Sequence, residues 1–298
     1  MALIADAHCH FFSSRFLELL APDAGGADTI AARLQWDPPG TPAQLADRWV
    51  AELDRHGVSR AALIASIPGD APSVGEAIAR HADRFVGFFM HNPAAPGADA
   101  SLTRALTESG LRTICLFPAM HGYRLDDERV DAVFRAAAAK GAAVFAHCGV
   151  LTVGVRKKLG LPNRFDLRLG DPLALARTAL GFPDVPVIVP HFGAGYFREA
   201  LMAADQCPTI HLDTSSSNGW IRFHPGLTLE GVFKQSLAVV GPTRLLFGTD
   251  SSFFPRGWQR PIYEEQDRIL RTLAVPDGDR EAIFAGNFSR LFPAPTAS

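Results

Sequence analysis

The chain has 298 residues, of which 47% are hydrophobic, and a formal net charge of −2 at pH 7. This length and apolar content allow one large buried core, which is near the upper limit for a single domain but ordinary for an α/β barrel. A nearly neutral chain favours neither nucleic acid nor an acidic membrane surface as a partner. No apolar run is long enough to span a membrane, and the first residues lack the pattern of a signal peptide.

The four cysteines predict a reducing compartment. They are far apart in the sequence and include no pair with CxxC spacing: Cys9, Cys115, Cys148 and Cys207. Such cysteines are typical of free thiols, so we expect a cytoplasmic protein without disulfides. Since neighbouring side chains of a strand alternate, Cys9 should point away from the face shared by His8 and His10 and pack against an outer helix.

Short apolar segments alternate with helical segments along the chain. The predicted strands end near residues 10, 66, 90, 117, 147, 191, 213 and 250. The predicted helices cover residues 42–56, 72–81, 98–109, 126–140, 171–181, 195–205, 229–239, 261–272 and 277–285. The segment from about residue 11 to 42 is rich in Gly, Pro and Asp, and we predict a long loop that forms a lid or pocket wall.

Eight apolar strands, each followed by a helical segment, predict a parallel sheet that helices cover. An open doubly wound sheet would carry a Gly-rich phosphate turn after its first strand. Here His8-Cys9-His10-Phe11-Phe12 occupies that place. The pattern therefore favours a single-domain α/β protein over residues 1–298, with the (β/α)8 TIM-barrel fold.

Five candidate ligands stand at the carboxyl ends of predicted strands. His8 and His10 end strand 1, while His147, His191 and Asp250 end strands 5, 6 and 8. Each residue alone is more often a hydrogen-bonded core, loop or capping residue than a ligand. In a barrel, however, the strand ends meet around one axis on the catalytic face. Imidazoles and a carboxylate together suit zinc or a similar divalent ion.

Several motifs make the chain resemble the amidohydrolase superfamily. They are Asp6-Ala7-His8-Cys9-His10, Phe145-Ala146-His147, Val189-Pro190-His191-Phe192-Gly193, Leu212-Asp213-Thr214-Ser215, Phe247-Gly248-Thr249-Asp250 and the C-terminal stretch 283–292. More narrowly, they are similar to the amidohydrolase-related branch, which includes aminocarboxymuconate-semialdehyde decarboxylase, resorcylate decarboxylases and related lactonases. The motifs are specific for this branch and unspecific for the substrate.

The resemblance implies a role for each strand-end residue. One divalent metal ion, Zn2+ or alternatively Mn2+, would be bound by His8, His10, His147 and Asp250. His191 would be catalytic and would transfer protons beside the metal, and Asp250 could also accept a proton. Asp6 could orient an imidazole or make a buried structural hydrogen bond, and both alternatives stay open.

The resemblance also implies a single metal. Binuclear members of the superfamily use a carboxylated lysine, usually from strand 4, to bridge two ions. Strand 4 here has no lysine, and neither a lysine nor a glutamate ends any other predicted strand. With His191 reserved for proton transfer, a second cation would lack protein ligands.

Candidate substrate contacts surround the metal ligands. The basic loop after strand 5, residues 156–168, lies on the catalytic face of a nearly neutral chain, although a solvated surface explains it about equally well. We predict these substrate-binding residues: Arg164, Arg168, His91, Asp213 and Arg256. Arginine side chains suit a carboxylate, so the substrate should be an anion.

Three functions remain open at this point. The first is a metal-dependent hydrolase of a small, carboxylate-bearing ester, lactone or amide, with a metal-activated water as nucleophile. The alternative is a non-oxidative decarboxylase or hydratase of an aromatic or enoic acid. A non-catalytic metal-binding scaffold is disfavoured because every ligand and proton-transfer position is filled. The expected partner is a small-molecule substrate, with a homodimer as a further alternative to the monomer.

Overall fold

A computed structural model of the chain describes residues 3–215 and 218–295. Its eight strands are β1 (Ile4–His10), β2 (Val58–Ala65), β3 (Phe85–His91), β4 (Thr113–Leu116), β5 (Ala143–Ala146), β6 (Val187–Val189), β7 (Ile210–Asp213) and β8 (Leu245–Leu246). Neighbours in sequence pair in parallel, in the order β1 to β8. The predicted (β/α)8 fold is confirmed.

The barrel closes between its first strand and the residues that follow β8. The backbone nitrogen of Ala7 donates to the Phe247 carbonyl at 2.8 Å, and that of His10 donates to the Ser251 carbonyl at 2.7 Å. In the other direction, the Asp250 nitrogen donates to the His8 carbonyl at 2.9 Å. Closure therefore places the ends of the first and last strands side by side.

Helices surround the barrel. They are α1 (Ser14–Leu20), α2 (Ala27–Leu34), α3 (Pro42–His56), α4 (Ala71–Arg80), α5 (Ala98–Thr107), α6 (Pro118–His121), α7 (Glu128–Lys140), α8 (Gly154–Lys158), α9 (Pro172–Ala179), α10 (Phe197–Gln206), α11 (Leu229–Val240), α12 (Arg260–Thr272), α13 (Asp277–Glu281) and α14 (Asn287–Leu291). Thr41 and Gln44 cap α3 reciprocally, and Gly57 ends it in the left-handed conformation. Among the described residues, none of these helices has the length and apolar character needed to cross a membrane.

The segment from residue 11 to 42 differs from the predicted loop, because it contains α1 and α2. The Ser13 side chain caps α1 by accepting from the Phe16 nitrogen. Buried side chains of both helices form a small core with Val155 and Leu159, which follow β5. Glycines and prolines between the helices hid these two short periodic runs. The segment is nevertheless a wall of the cavity described below.

Strand 8 is shorter than its predicted extent of residues 244–250. Only Leu245 and Leu246 are extended as a strand. Gly248 follows, and Asp250 has a φ of +57°, which ends the regular ladder. This departure from strand geometry brings the backbone of residues 247–251 against β1.

Apolar side chains fill the space on both sides of the barrel wall. The interior cluster includes Ile64, Phe88, Phe145 and Ile188, together with Phe288 from α14. Cys9 instead belongs to the larger cluster between the barrel and its helices, as the alternation along β1 predicts. All four cysteines are buried free thiols.

Candidate active site

Three side chains converge at the carboxyl end of the barrel. The Nε2 atoms of His8 and His10 lie 3.4 Å apart. The Oδ1 atom of Asp250 lies 3.7 Å from Nε2 of His8 and 3.1 Å from Nε2 of His10. Closure of the barrel creates this group, because His8 and His10 come from β1 and Asp250 from the segment after β8.

Hydrogen bonds on the far side of each ring orient the two imidazoles. Nδ1 of His8 lies 2.6 Å from Oδ2 of Asp213, and Nδ1 of His10 lies 2.6 Å from Oγ of Ser66. The Ser66 hydroxyl donates to the carbonyl of Ile64 at 3.0 Å, so it accepts from His10. In the neutral rings both Nδ1 atoms therefore carry the proton, and both Nε2 atoms present lone pairs.

The resulting donor set fits a divalent cation. Two imidazole lone pairs and a carboxylate oxygen face one another within 4.8 Å. Such an arrangement of acceptors is unfavourable unless a proton or a cation lies between them. The chemistry of two imidazoles and one carboxylate is that of zinc and related divalent ions.

The electrostatics of this group agree with a charged carboxylate. Burial opposes ionisation of Asp250, but the neighbouring imidazoles of His10 and His8 hold its pKa well below the usual range. Burial also opposes charging of His8, yet Asp213 raises the pKa of that imidazole to about 9. Burial lowers the pKa of His10. The acidic neighbours thus favour one positive charge at this position.

His147 lies beside the group but outside the set of atoms within 4.8 Å. Its ring centroid is 5.4 Å from that of His191 and 5.3 Å from that of Phe117, on which it stacks. Burial, with His191 and His8 nearby, lowers the pKa of His147 well below its usual value. The lowered pKa favours the neutral ring, which is the form of imidazole that binds a metal. The structure brings three of the four predicted ligands together and places the fourth on the same cavity.

His191 faces the group from the end of β6. Its ring centroid is 5.0 Å from that of His8, and its Nδ1 lies 2.7 Å from Oγ of Ser215. Burial, followed by the effect of His8, lowers the pKa of His191 to about 4. The backbone holds His191 at a φ of +54° and Phe192 at +52°, a conformation that non-glycine residues rarely adopt.

Gly248 allows the first and last strands to approach each other closely. A Cβ atom at this position would lie 2.7 Å from Oδ1 of Asp213 and 2.9 Å from Cβ of His8. Either contact would force a shift of the Asp213–His8 pair. The glycine of the Phe247-Gly248-Thr249-Asp250 motif is thus required by the packing of the site.

The structure places Asp6 in one of the two roles that the sequence left open and places Asp213 behind the His8 ring rather than on the cavity. Asp6 accepts from the His8 and Thr249 backbone nitrogens at 2.9 and 3.1 Å, and from Nε1 of Trp258 at 2.7 Å. It touches the His8 backbone rather than an imidazole, so the structural alternative describes it. Asp213 was predicted to contact substrate, but it orients the His8 ring instead, because β7 ends directly behind that ring.

A cavity of about 270 Å3 opens above the group, with aromatic rings along one side. Trp36 stacks between Phe12 and Phe253, with centroid separations of 5.4 and 4.2 Å. Lys158 and Arg256 also line the cavity, and Nζ of Lys158 lies 5.8 Å from the centre of the Phe253 ring. The predicted contact Arg256 is therefore at the cavity, together with Lys158 of the basic loop.

The other predicted substrate contacts do not line this cavity. Arg164 is exposed, and the side chain of Arg168 is 87% exposed and pairs with Asp166 at 2.7 Å. Helix α8 turns the loop after β5 so that Lys158, and not these later arginines, reaches the cavity. His91 is buried at the end of β3 and borders a separate depression beside α5 and α7. Burial and the nearby His121 lower the pKa of His91 to about 4.

Sequence reasoning missed two serines that contact the imidazoles. Ser66 directly follows β2, so its position at a strand end was a usable signal. Ser215 lies two residues after Asp213 in the Leu212-Asp213-Thr214-Ser215 motif, and only the folded chain brings it to His191. A serine carries no pattern that separates such a role from an ordinary turn residue.

Comparison with known proteins identifies the family. A family model described as Amidohydrolase matches residues 5–294. The chain is similar to a zinc-bound amidohydrolase structure from Burkholderia multivorans, at 16% identity and a TM-score of 0.67, covering 99% of this chain and 100% of that chain. It is also similar to a variant 5-carboxyvanillate decarboxylase from Novosphingobium aromaticivorans with bound manganese and 3-methoxy-4-hydroxy-5-nitrobenzoic acid, at 16% identity and a TM-score of 0.61, covering 98% and 97%. At these identities the likeness shows the fold.

Among curated proteins, protein fluG of Emericella nidulans is 27% identical over 119 residues. The matched region covers 39% of this chain but only 13% of that protein. This similarity is therefore confined to a small part of the relative.

Proposed function

We propose that this chain, which belongs to the amidohydrolase family, is a hydrolase of a small anionic ester, lactone or amide that depends on one divalent metal ion. The observation that carries the proposal is the convergence of lone pairs on His8 and His10 with the Asp250 carboxylate. His147 would supply the fourth protein ligand from the same cavity. Zn2+ suits this donor set best, and Mn2+ is the alternative.

One metal ion is proposed rather than two. Within residues 3–215 and 218–295, the set of His8, His10 and Asp250 is the one group found that could hold an ion. In the part of the chain that the structure describes, no lysine ends a strand to bridge a second ion. When bound, the metal lowers the pKa of water toward neutrality and polarises the substrate carbonyl.

Asp250 and His191 would divide the proton chemistry. The lowered pKa of Asp250 favours its carboxylate form, which would accept the proton of the attacking water as the water oxygen bonds to the carbonyl carbon. The bond to the leaving oxygen or nitrogen then breaks, and that atom leaves with the proton held by Asp250. His191 lines the cavity with Nδ1 already bound to Ser215, so its Nε2 is the atom available to the reacting oxygen.

The cavity supports an anionic substrate with a flat body. Asp250 is the single carboxylate among the described residues that line it, whereas Lys158 and Arg256 are both cationic. Neither cation pairs with a carboxylate in the described part of the chain. The stacked rings of Phe12, Trp36 and Phe253 offer an apolar surface beside them.

The four buried thiols fit the reducing cytoplasm proposed for the protein.

Decarboxylation of an aromatic acid is the second candidate reaction. The aromatic side of the cavity favours it, since a flat ring could stack there with its carboxylate toward the basic residues. The structural likeness to a decarboxylase adds support at the level of the fold. Both reactions would use the same metal ligands.

A substrate panel with zinc- or manganese-loaded protein tests the proposal. Lactones and esters that carry a carboxylate should release protons in an unbuffered assay, and their methyl esters should react more slowly. Aromatic carboxylates should instead release carbon dioxide if the second candidate is correct. If a chelator removes the metal and the activity on every substrate stays unchanged, both proposed reactions are contradicted.

A further inference from the structure

The Ser215 hydroxyl lies between two imidazoles. Its Oγ is 2.7 Å from Nδ1 of His191 and 3.1 Å from Nδ1 of His8. The side chain is fully buried. A hydroxyl has one proton to donate, so at most one of these two Nδ1 atoms can accept from it.

The direction of these hydrogen bonds follows from His8. Nδ1 of His8 donates to Oδ2 of Asp213 at 2.6 Å, so it cannot accept a proton from Ser215. Among the described residues, the remaining neighbour of the hydroxyl is Nδ1 of His191. If His191 donated from Nδ1, the Ser215 proton would have no acceptor in this part of the chain.

We propose that Ser215 donates to Nδ1 of neutral His191 and thereby keeps the proton of that ring on Nε2. His191 then presents an N–H group to the cavity and donates a hydrogen bond to the reacting oxygen of the substrate. The proposal rests on the proposed function for the identity of that oxygen. It leaves Asp250 as the group that accepts the proton of water, since Nε2 of His191 has no free lone pair.

Neighbouring contacts hold Ser215 in place. Its backbone nitrogen donates to Oδ1 of Asp213 at 2.6 Å, and the preceding Thr214 nitrogen donates to the Leu246 carbonyl at 2.9 Å. The side chain of Thr214 donates to Oε1 of Gln266 at 2.7 Å, and Nε2 of Gln266 donates back to the Thr214 carbonyl at 2.7 Å. The hydroxyl is therefore placed by the backbone of the turn after β7, and Ser215 acts as a positioning residue for His191.

Nitrogen-15 NMR of the histidine rings in zinc-loaded protein tests this assignment directly. The two neutral tautomers differ in which ring nitrogen bears hydrogen, and the spectrum distinguishes them. Loss of one set of signals in His191→Gln identifies the ring. We expect Nε2–H for His191 in the unchanged protein, a shift toward Nδ1–H in Ser215→Ala, and restoration of Nε2–H in Ser215→Thr.

Two internal controls separate this effect from a general loss of structure. The His8 tautomer should not change in Ser215→Ala, because Asp213 holds its proton. Ser236→Ala removes another fully buried serine hydroxyl, one without a hydrogen-bond partner in the described chain, and should leave the His191 signals unchanged.

An Nδ1–H tautomer of His191 in the unchanged protein would overturn the proposal, and so would an unaltered tautomer in Ser215→Ala. If Ser215→Ala does not fold, Ser215→Thr and the unchanged protein still decide the matter, since both must show Nε2–H. The measurement needs no turnover. Protein with the expected tautomer and bound metal but no hydrolysis of the substrate panel would contradict the proposed reaction alone.

Discussion

The base of the cavity and its rim are built in opposite ways. At the base, Nδ1 of His8 is hydrogen-bonded to Asp213 and Nδ1 of His10 to Ser66. Nδ1 of His191 is hydrogen-bonded to Ser215. At the rim, Lys158 and Arg256 are exposed and have no carboxylate partner within the described chain. The side chains at the base are thus oriented by hydrogen bonds within the protein, whereas the two cations at the rim keep their charges for a ligand.

The difference follows from the elements that supply each region. The base residues stand at strand ends, where the backbone is fixed by the barrel ladder and its closure. The rim residues come from α8 and from the loop after β8, which pack against the small core around Trp36. We therefore expect changes at the base to affect metal binding and turnover, and changes at the rim to affect substrate affinity.

The double substitution His8→Ala and His10→Ala should have the largest effect. It removes two of the three converging ligand atoms, so bound zinc and activity should both be lost. Elemental analysis by mass spectrometry measures the metal, and circular dichroism checks that the barrel remains folded. Full metal occupancy in a folded double variant would refute the assignment of the base.

His191→Ala should retain the metal and lose most of its turnover. His191 is proposed to act on the reacting oxygen and not on the ion, and groups that transfer or share a proton typically contribute about 10²–10⁴-fold to the rate. Metal content and kcat measured on the same preparation provide the check. Loss of the metal, rather than of kcat alone, would make His191 a ligand.

Asp213→Asn should weaken metal binding by about 10–100-fold, as is typical when the partner of a metal-binding imidazole is replaced. The amide cannot supply the negative charge that favours the Nδ1–H form of His8. Competition for zinc with a chelating dye measures the change. As a matched control, Asp166→Asn alters an exposed carboxylate that pairs with Arg168, and its affinity for zinc should be unchanged.

Lys158→Ala should have the smallest effect. We expect the KM for an anionic substrate to rise about tenfold while kcat changes little. The reason is that a charge-assisted contact is worth about 1.5–3 kcal/mol at most at such a site. Lys157→Ala is the matched control, since Lys157 is the neighbouring residue of α8 but does not line the cavity. Arg164→Ala and Arg168→Ala should behave like that control. Equal KM changes in all four variants would mean that the rim acts only through its overall charge.

Much of the architecture could be predicted from sequence because its signals are local. Alternating apolar strands and helices identify the barrel, and the strand-end histidines follow from the rule that barrel strands point their carboxyl ends toward one site. The family match confirms the resemblance carried by the motifs around His8, His191 and Asp250. The roles of these residues, including that of His147 as a ligand, stay predictions.

The remaining features depend on contacts between distant segments, which local patterns do not encode. The sequence by itself determined the fold class, the family and the residues at the strand ends. Only the tertiary structure decided that Asp213 supports His8, that Ser215 reaches His191 and that Lys158 lines the cavity while Arg164 and Arg168 do not. The physical reason is that the two-residue periodicity of a strand fixes which face a side chain occupies. The position of a turn or loop residue depends instead on barrel closure and on the packing of other loops against it.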